Sequence, residues 1–347
     1  SNLNYYSSAK YNTFKIDYPN KIENLLLRTS KYFFNRKCNF SYKSQIGLNR
    51  FLSKSQFDLI HVNFGTLAVQ ILPFAQRLKI PLIVTFHGYD ASSALKRKEY
   101  SKHLDSLFKY ACAIIIVSPH MIETLRLRPY INKVHSIPCG IDASYFVPLV
   151  TDHDDNSLIE ILHVGRIVEK KGVPDLIRCF ANLIRRYNNI RLNIVGDGEE
   201  LLECRKLVID LNLEDSVIFY GEQSQIQIRE LLQRAQIFVL NSRKDSEGNM
   251  EGLPNVILEA MSMRKAIVST VHAGIPEAIV DNFNGILVKE SDNDELENGI
   301  ERLIINRDIR ISLGNQARKT VLDKFTADLT LTKIINIYET VTNDGSR

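Results

Sequence analysis

Short apolar runs alternate with helix-length amphipathic stretches along nearly the whole chain, and the alternation restarts after a polar break. Residues 58–62 (Asp-Leu-Ile-His-Val) and 80–86 (Ile-Pro-Leu-Ile-Val-Thr-Phe) read as buried strands, with a helix near 66–78 between them. Residues 111–117 form a third apolar run after a charged helix near 95–109, and Val134–Pro138 a fourth. Runs this short and continuously apolar are buried on both faces, which means parallel strands joined by helical crossovers. Residues 148–157 are polar and acidic, and read as a linker. Beyond it the sequence predicts strands at 159–164, 191–195, 216–220, 236–240, 266–269 and 285–288. Helices are predicted at 173–187, 198–211, 224–234, 254–263, 275–280, 293–305 and 308–323. The pattern predicts an α/β chain of two Rossmann-like, doubly wound domains facing across a cleft, with a ligand at the carboxyl ends of the strands.

A length of 347 residues suits two such domains. The five cysteines (Cys38, Cys112, Cys139, Cys179, Cys204) are odd in number and lack CxxC spacing. That argues against a disulfide framework or a zinc site and fits a reducing compartment. No apolar run approaches the ~20 residues of a membrane-spanning helix, and the opening residues lack the pattern of a secretory leader. The expected place is the cytoplasm, with peripheral contact at the inner membrane face. Residues 1–148 hold 20 Lys+Arg and 8 Asp+Glu, a balance of +12, whereas residues 149–347 carry −8. A basic half beside an acidic half suggests that one half faces something anionic: nucleic acid, an anionic membrane or a phosphorylated substrate. The first 57 residues are basic and aromatic, with a single glycine, Gly47. They read either as a segment resting on anionic lipid or, by preference, as an amphipathic helix with its apolar side in a core. Asp152-His153-Asp154-Asp155 imitates a metal-binding cluster but reads as solvated linker charge. No metal and no other cofactor is expected.

Three stretches carry chemistry. Val164-Gly165-Arg166-Ile-Val-Glu169-Lys170-Lys171-Gly172 joins a strand to a helix. Gly165 allows a ligand close to the backbone. Arg166 and Lys171 set a planar fork and a point charge beside it, which suits a diphosphate. Ser246-Glu247-Gly248-Asn249-Met250-Glu251-Gly252-Leu253-Pro254-Asn255 then leads into a helix containing Glu259, eight residues beyond Glu251. Proline is favoured in a first helical turn, and the free N–H groups there can hold phosphate. Glu259 lies among apolar residues and needs a partner that ribose hydroxyls could supply; a solvated glutamate is the plainer alternative. Thr85-Phe86-His87-Gly88-Tyr89-Asp90 places His87 at a strand terminus, where a histidine serves either structure or catalysis.

These pieces, in this order, resemble the retaining glycosyltransferases of family 4 (GT4), which have the GT-B fold. The resemblance covers roughly residues 57–342. Its most specific part is Glu251 to Glu259, followed by Gly165-Arg166 with Lys171-Gly172. Ile137–Asp142, Ile194–Glu199, Val217–Glu222, Gly274–Glu277 and Phe325–Asp328 support it. The resemblance implies that Arg166 and Lys171 bind the donor diphosphate and neutralise the departing nucleotide. It implies that Glu259 holds the ribose, that Glu251 contacts the transferred sugar, and that Gly252, Leu253, Pro254 and Asn255 hold sugar and phosphate through their backbone. His87 lies near the attack site, and backbone near Tyr220 and Glu222 reads the base. The last helix crosses back to the first domain. The implied division is residues 1–147 with 328–347 as an acceptor domain, and 148–327 as a nucleotide-sugar domain. The opening strand and glycine-rich loop of the family are not found before Phe57, and Tyr11–Pro19 reads as a later strand.

The leading expectation is a transferase taking a sugar from a nucleoside diphosphate, UDP before GDP. Its acceptor would be a saccharide or lipid-linked saccharide of a surface polysaccharide. The alternative is a non-catalytic sugar-nucleotide-binding subunit. Nucleic-acid binding has no basic-aromatic recognition motif to support it, and no candidate motif for the pyridoxal-binding lysine of a phosphorylase is present.

Overall fold

The computed structural model describes residues 42–54, 57–149 and 158–344. The basic front segment, the strand expected at Tyr11–Pro19 and the acidic linker run therefore lie outside the described residues. The first half contains helix α1 (Tyr42–Lys54), β1 (Ile60–Asn63), α2 (Gly65–Leu78), β2 (Leu82–Phe86), α3 (Lys98–Ser101), α4 (Leu104–Tyr110), β3 (Ala113–Ile116), α5 (Met121–Thr124) and β4 (Val134–Ser136). The second half runs β5 (Ile159–Val164), α6 (Val173–Ile184), β6 (Ile190–Val195), α7 (Leu201–Asp210), β7 (Val217–Gly221), α8 (Gln225–Arg234), β8 (Ile237–Leu240), α9 (Asn255–Ser262), β9 (Ala266–Thr270), α10 (Ile275–Ala278) and β10 (Ile286–Val288). Three helices close the chain: α11 (Asn293–Ile305), α12 (Arg307–Lys324) and α13 (Ala327–Asp344).

The strands form two sheets, each parallel throughout, in the orders β1-β2-β3-β4 and β10-β9-β8-β5-β6-β7. Burial follows position. Every residue of β2, β3, β5 and β8 is buried, because inner strands are covered by helices on both faces. The edge strands β1, β4 and β7 are only partly covered. In the second sheet the chain leaves β5 toward β6, then returns to β5's other side as β8. That reversal puts a topological switch point between β5 and β8, where such sheets open a crevice at their carboxyl ends.

The charged helix expected near 95–109 is broken into a 3-10 turn (Ser93–Lys96), α3 and α4. Its apolar positions explain the break. Tyr100, Leu104, Leu107 and Phe108 are buried at helical spacing, but Leu95 precedes Tyr100 by five residues and falls off that face. The final helices divide their allegiance. Ala317 and Val321 of α12 pack with Met261 of α9 in the core of the second sheet. Ile337 and Val341 of α13 pack on Ile83, Ala113 and Ile115 of the first sheet, and the Tyr338 hydroxyl meets His61 Nδ1 at 2.5 Å. A bridge from Ile141 to Thr326 marks where the chain crosses back.

Candidate active site

Two groups of loops meet at the carboxyl ends of the sheets. The first sheet contributes the residues after β1, β2 and β3. The second contributes those after β5, β8 and β9. Their approach is close enough to require glycine. Gly88 has φ +131°, and a Cβ on it would lie 2.9 Å from the Gly252 nitrogen. A Cβ on Gly252 would in turn lie 2.8 Å from the His87 carbonyl oxygen. His87 and Gly252, both expected in one site, are thus neighbours through their backbones. Lys96 Nζ also donates to the Glu247 carbonyl, and Ser118 Oγ donates to the Glu277 carboxylate across the same gap.

On the first sheet, Asp90 organises the rim. It is fully buried, and among the described residues it has no cationic partner and its carboxylate accepts only backbone N–H groups. Oδ1 accepts from His87 N–H at 2.9 Å and Gly88 N–H at 3.1 Å, while Oδ2 accepts from Gly65 N–H at 2.7 Å. One side chain therefore ties the end of β2 to the start of α2. His87 Nε2 faces the Asn63 amide oxygen at 2.9 Å. Burial lowers the His87 pKa, against the opposing charge of Asp90, which keeps the ring neutral near pH 7.

On the second sheet, a 3-10 turn (Glu169–Lys171) between β5 and α6 is stitched to the loop after β8. Arg243 N–H donates to the Lys170 carbonyl at 2.9 Å, and Ser246 Oγ donates to Glu169 Oε2 at 2.6 Å. The stitching brings Lys170 and Lys171 within 3.0 and 3.1 Å of Glu251 Oε1. Burial by itself would raise the Glu251 pKa. The Lys171 and Lys170 ammonium groups outweigh it and hold the carboxyl at about 2. Burial likewise pushes the Lys171 pKa down, against the pull of Glu251. Arg166 is exposed beside this pair. Lys170 and Lys171 share Glu251 as their ion-pair partner, and no ion pair of Arg166 occurs among the described residues, leaving an excess of about two positive charges suited to a diphosphate.

Glu259 lies on α9 between Leu258 and Ala260, both fully buried. No hydrogen bond or ion pair to its carboxylate occurs among the described residues, and burial alone raises its pKa to about 7. A half-buried carboxyl without a partner is a costly arrangement unless a ligand completes it. The helix starts at Asn255, so Pro254 sits at the N-cap, one residue ahead of the first turn expected for it. Its extended ψ of 122° suits a cap. Among the described residues no side chain caps this end, so the first N–H groups point out of the helix without a side-chain acceptor there. Leu253 is buried and anchors the loop in the core, while Asn255 is exposed. Gly165 lies over Lys171, with 3.5 Å from its Cβ position to Lys171 Cε. Tyr220 lies on the edge strand β7 and Glu222 just beyond its end: the Tyr220 carbonyl accepts from Gln223 at 2.6 Å and Glu222 is exposed.

Sequence reasoning missed His272. It is fully buried, and its Nε2 accepts the Glu251 N–H at 3.3 Å while Nδ1 meets Glu290 Oε1 at 2.7 Å. Those partners require the tautomer with hydrogen on Nδ1. Glu290 Oε2 also accepts the Lys244 N–H at 3.0 Å. Glu290 and His272 together therefore fasten both ends of the loop that carries Glu251. His163, also missed, lies fully buried beneath Gly165, and its Nδ1 is 3.1 Å from the Val239 carbonyl.

Two family profiles match this chain. Glycosyl transferases group 1 matches residues 152–320, and Glycosyltransferase Family 4 matches residues 13–145. Among curated proteins, the amylovoran biosynthesis glycosyltransferase AmsK of Erwinia amylovora is 28% identical over 284 residues, covering 81% of this chain and 69% of its own. The N-acetyl-alpha-D-glucosaminyl L-malate synthase of Bacillus anthracis is 26% identical over 308 residues, covering 85% and 76%. Among solved structures, Anabaena HepE in complex with UDP and glucose superposes with a TM-score of 0.74 at 19% identity, covering 86% of this chain and 82% of that one.

Proposed function

The chain belongs to the family 4 glycosyltransferases, with the GT-B fold, and from that premise we propose that it moves a sugar with retention from a nucleoside-diphosphate donor to a saccharide or lipid-linked saccharide. It is a glycosyltransferase of class EC 2.4 related to exopolysaccharide biosynthesis enzymes; donor, acceptor and residue roles are our reading. We assign residues 1–147 with 328–347 to the acceptor side and 148–327 to the donor side. One observation carries the reading most. A surplus of basic charge at Arg166, Lys170 and Lys171 stands at the switch point, with Glu259, which has no partner among the described residues, on the helix that follows the Glu251 loop.

In this reading the diphosphate lies on Arg166, Lys171 and the free N–H groups at the start of α9. The ribose hydroxyls donate to Glu259, and backbone near Tyr220 and Glu222 reads the base. Glu251, held anionic by two ammonium groups, accepts from hydroxyls of the transferred sugar, with Gly252 to Asn255 lending backbone. As the bond from anomeric carbon to phosphate stretches, negative charge grows on the leaving oxygen. Arg166 and Lys171 are already in place to stabilise it, so no reorganisation is needed at that moment. A phosphate oxygen on the same face takes the acceptor proton. Neutral His87 borders the attack site and positions rather than ionises. UDP is favoured as the nucleotide because the HepE structure holds it, with GDP next; surface polysaccharide synthesis is favoured by AmsK. Peripheral contact with an anionic membrane is favoured by the +12 balance of the first 148 residues. No helix among the described residues is long and apolar enough to cross a membrane.

The test is donor hydrolysis followed by proton NMR. Incubation with UDP-glucose, UDP-galactose, UDP-N-acetylglucosamine and GDP-mannose should release one sugar slowly, first as the anomer present in the donor. Release of the opposite anomer would refute retention. Tight nucleotide binding with no release or transfer would favour a non-catalytic binding subunit.

A further inference from the structure

The residue that leaves β1 is Phe64, and its backbone sits at φ 74° and ψ 121°. A bulky side chain with positive φ is a steric outlier. The cause is a strand that becomes a helix with no loop between. Phe64 N–H still donates to the Thr85 carbonyl at 2.8 Å, as a strand residue would. Its own carbonyl already accepts from Leu67 and Ala68 N–H at 3.0 Å, opening α2. Glycine is used at the next position, where a Cβ would lie 2.2 Å from the Phe86 ring. The positive φ therefore falls on phenylalanine. A glycine at 64 would adopt it without steric cost. Burial does not compensate, because Phe64 is 45% exposed. One face of the ring meets the His87 imidazole, with centroids 4.6 Å apart. Strain of this kind gathers at functional sites, and the inference runs from the outlier to the function.

We propose that Phe64 is the platform for the acceptor, receiving the apolar C–H face of a pyranose on its exposed ring. The negative π face of an aromatic ring suits the weakly positive C–H groups of a sugar, and Asn63 beside it offers a hydroxyl a partner. The platform belongs to the first sheet and touches His87, whereas Lys171, Glu251 and Glu259 belong to the second. A saccharide resting on Phe64 presents a hydroxyl toward a sugar held from the opposite side. The assignment of this saccharide as acceptor rests on the donor reading above.

The chain contains no tryptophan, so Phe64→Trp places a single tryptophan at the platform, excited selectively at the red edge where the tyrosines do not absorb. Titration with methyl glucosides, galactosides and mannosides, without nucleotide, should give a saturable emission change with at least one. A Phe283→Trp control, at an exposed position beside β10, should give none. Phe64→Gly should raise Tm by a few degrees as strain is released. The same variant should cut hexoside-dependent donor consumption at least tenfold and leave UDP affinity unchanged. No emission change with any hexoside, or undiminished transfer by Phe64→Gly, overturns the platform. Failure of the parent protein to bind UDP would count against the donor reading instead, since the fluorescence titration contains no nucleotide.

Discussion

Replacing Glu259 by glutamine should move two quantities in opposite directions. Burial raises the Glu259 pKa from 4.5 to about 7 in the fold. A raised carboxyl pKa means that the folded state disfavours the charge. The penalty is absent below the unfolded value of 4.5, grows as pH rises, and is complete above about 7. At about 1.4 kcal/mol per pKa unit, the nucleotide-free protein carries a cost of about 3 kcal/mol at pH 8. Glutamine removes it, so Glu259→Gln should melt higher than the parent at pH 8 and no higher near pH 4.5. Nucleotide binding should go the other way. A carboxylate accepting from ribose hydroxyls contributes about 1.5–3 kcal/mol, so the variant should bind roughly 10- to 150-fold more weakly. The parent's affinity should also drop about tenfold between pH 8 and pH 6 as Glu259 takes up a proton. The terminal phosphate of a free nucleoside diphosphate titrates near 6, but equally for both proteins, so the difference between them isolates Glu259. Thermal melts and calorimetric titrations at both pH values read every term. A variant that melts no higher at pH 8 and binds nucleotide like the parent would refute the reasoning.

Glu251→Leu should leave two partly buried ammonium groups without a counterion and destabilise the fold by about 3 kcal/mol; adding Lys171→Met should recover part of that, read by urea unfolding. Glu290→Gln offers one oxygen and one amide to two donors, His272 Nδ1–H and Lys244 N–H. Either the His272 tautomer flips against the Glu251 N–H or the loop loses a tie, so kcat should fall while Tm changes little; an unchanged kcat would dismiss the clamp. His87→Ala should lower turnover by about 100-fold, the scale of a misplaced reactant, with donor affinity retained, and a fully active variant would make His87 structural.

The sheets were legible because parallel strands buried on both faces announce themselves as short apolar runs. Strand β5 and helix α11 fall on their expected residues, and the other strands shift by one or two. The ion pair of Lys171 with Glu251 was foreshadowed by two motifs at strand ends. What could not be read was pairing across long sequence separations. Asp90 was visible beside His87 and Gly88, but it accepts N–H bonds from residues two and three before it, the reverse of the usual turn in which an aspartate bonds the backbone two residues on. Its third bond comes from Gly65 N–H, at the start of α2 and far back in the chain. His272 follows β9 and Glu290 follows β10, and nothing local says that they hold the loop around Glu251. Phe64 carries no sequence mark at all, because its strain arises only where β1 passes into α2 without a loop.

The central claim is that a nucleoside diphosphate binds at the switch point of the second sheet. Calorimetric titration of the parent protein and Lys171→Ala with UDP, GDP and ADP tests it most directly. The account predicts that the parent binds one of the three, UDP first in order, and that Lys171→Ala loses most of that affinity while remaining folded. Binding of none, or equal binding by the two proteins, would contradict it.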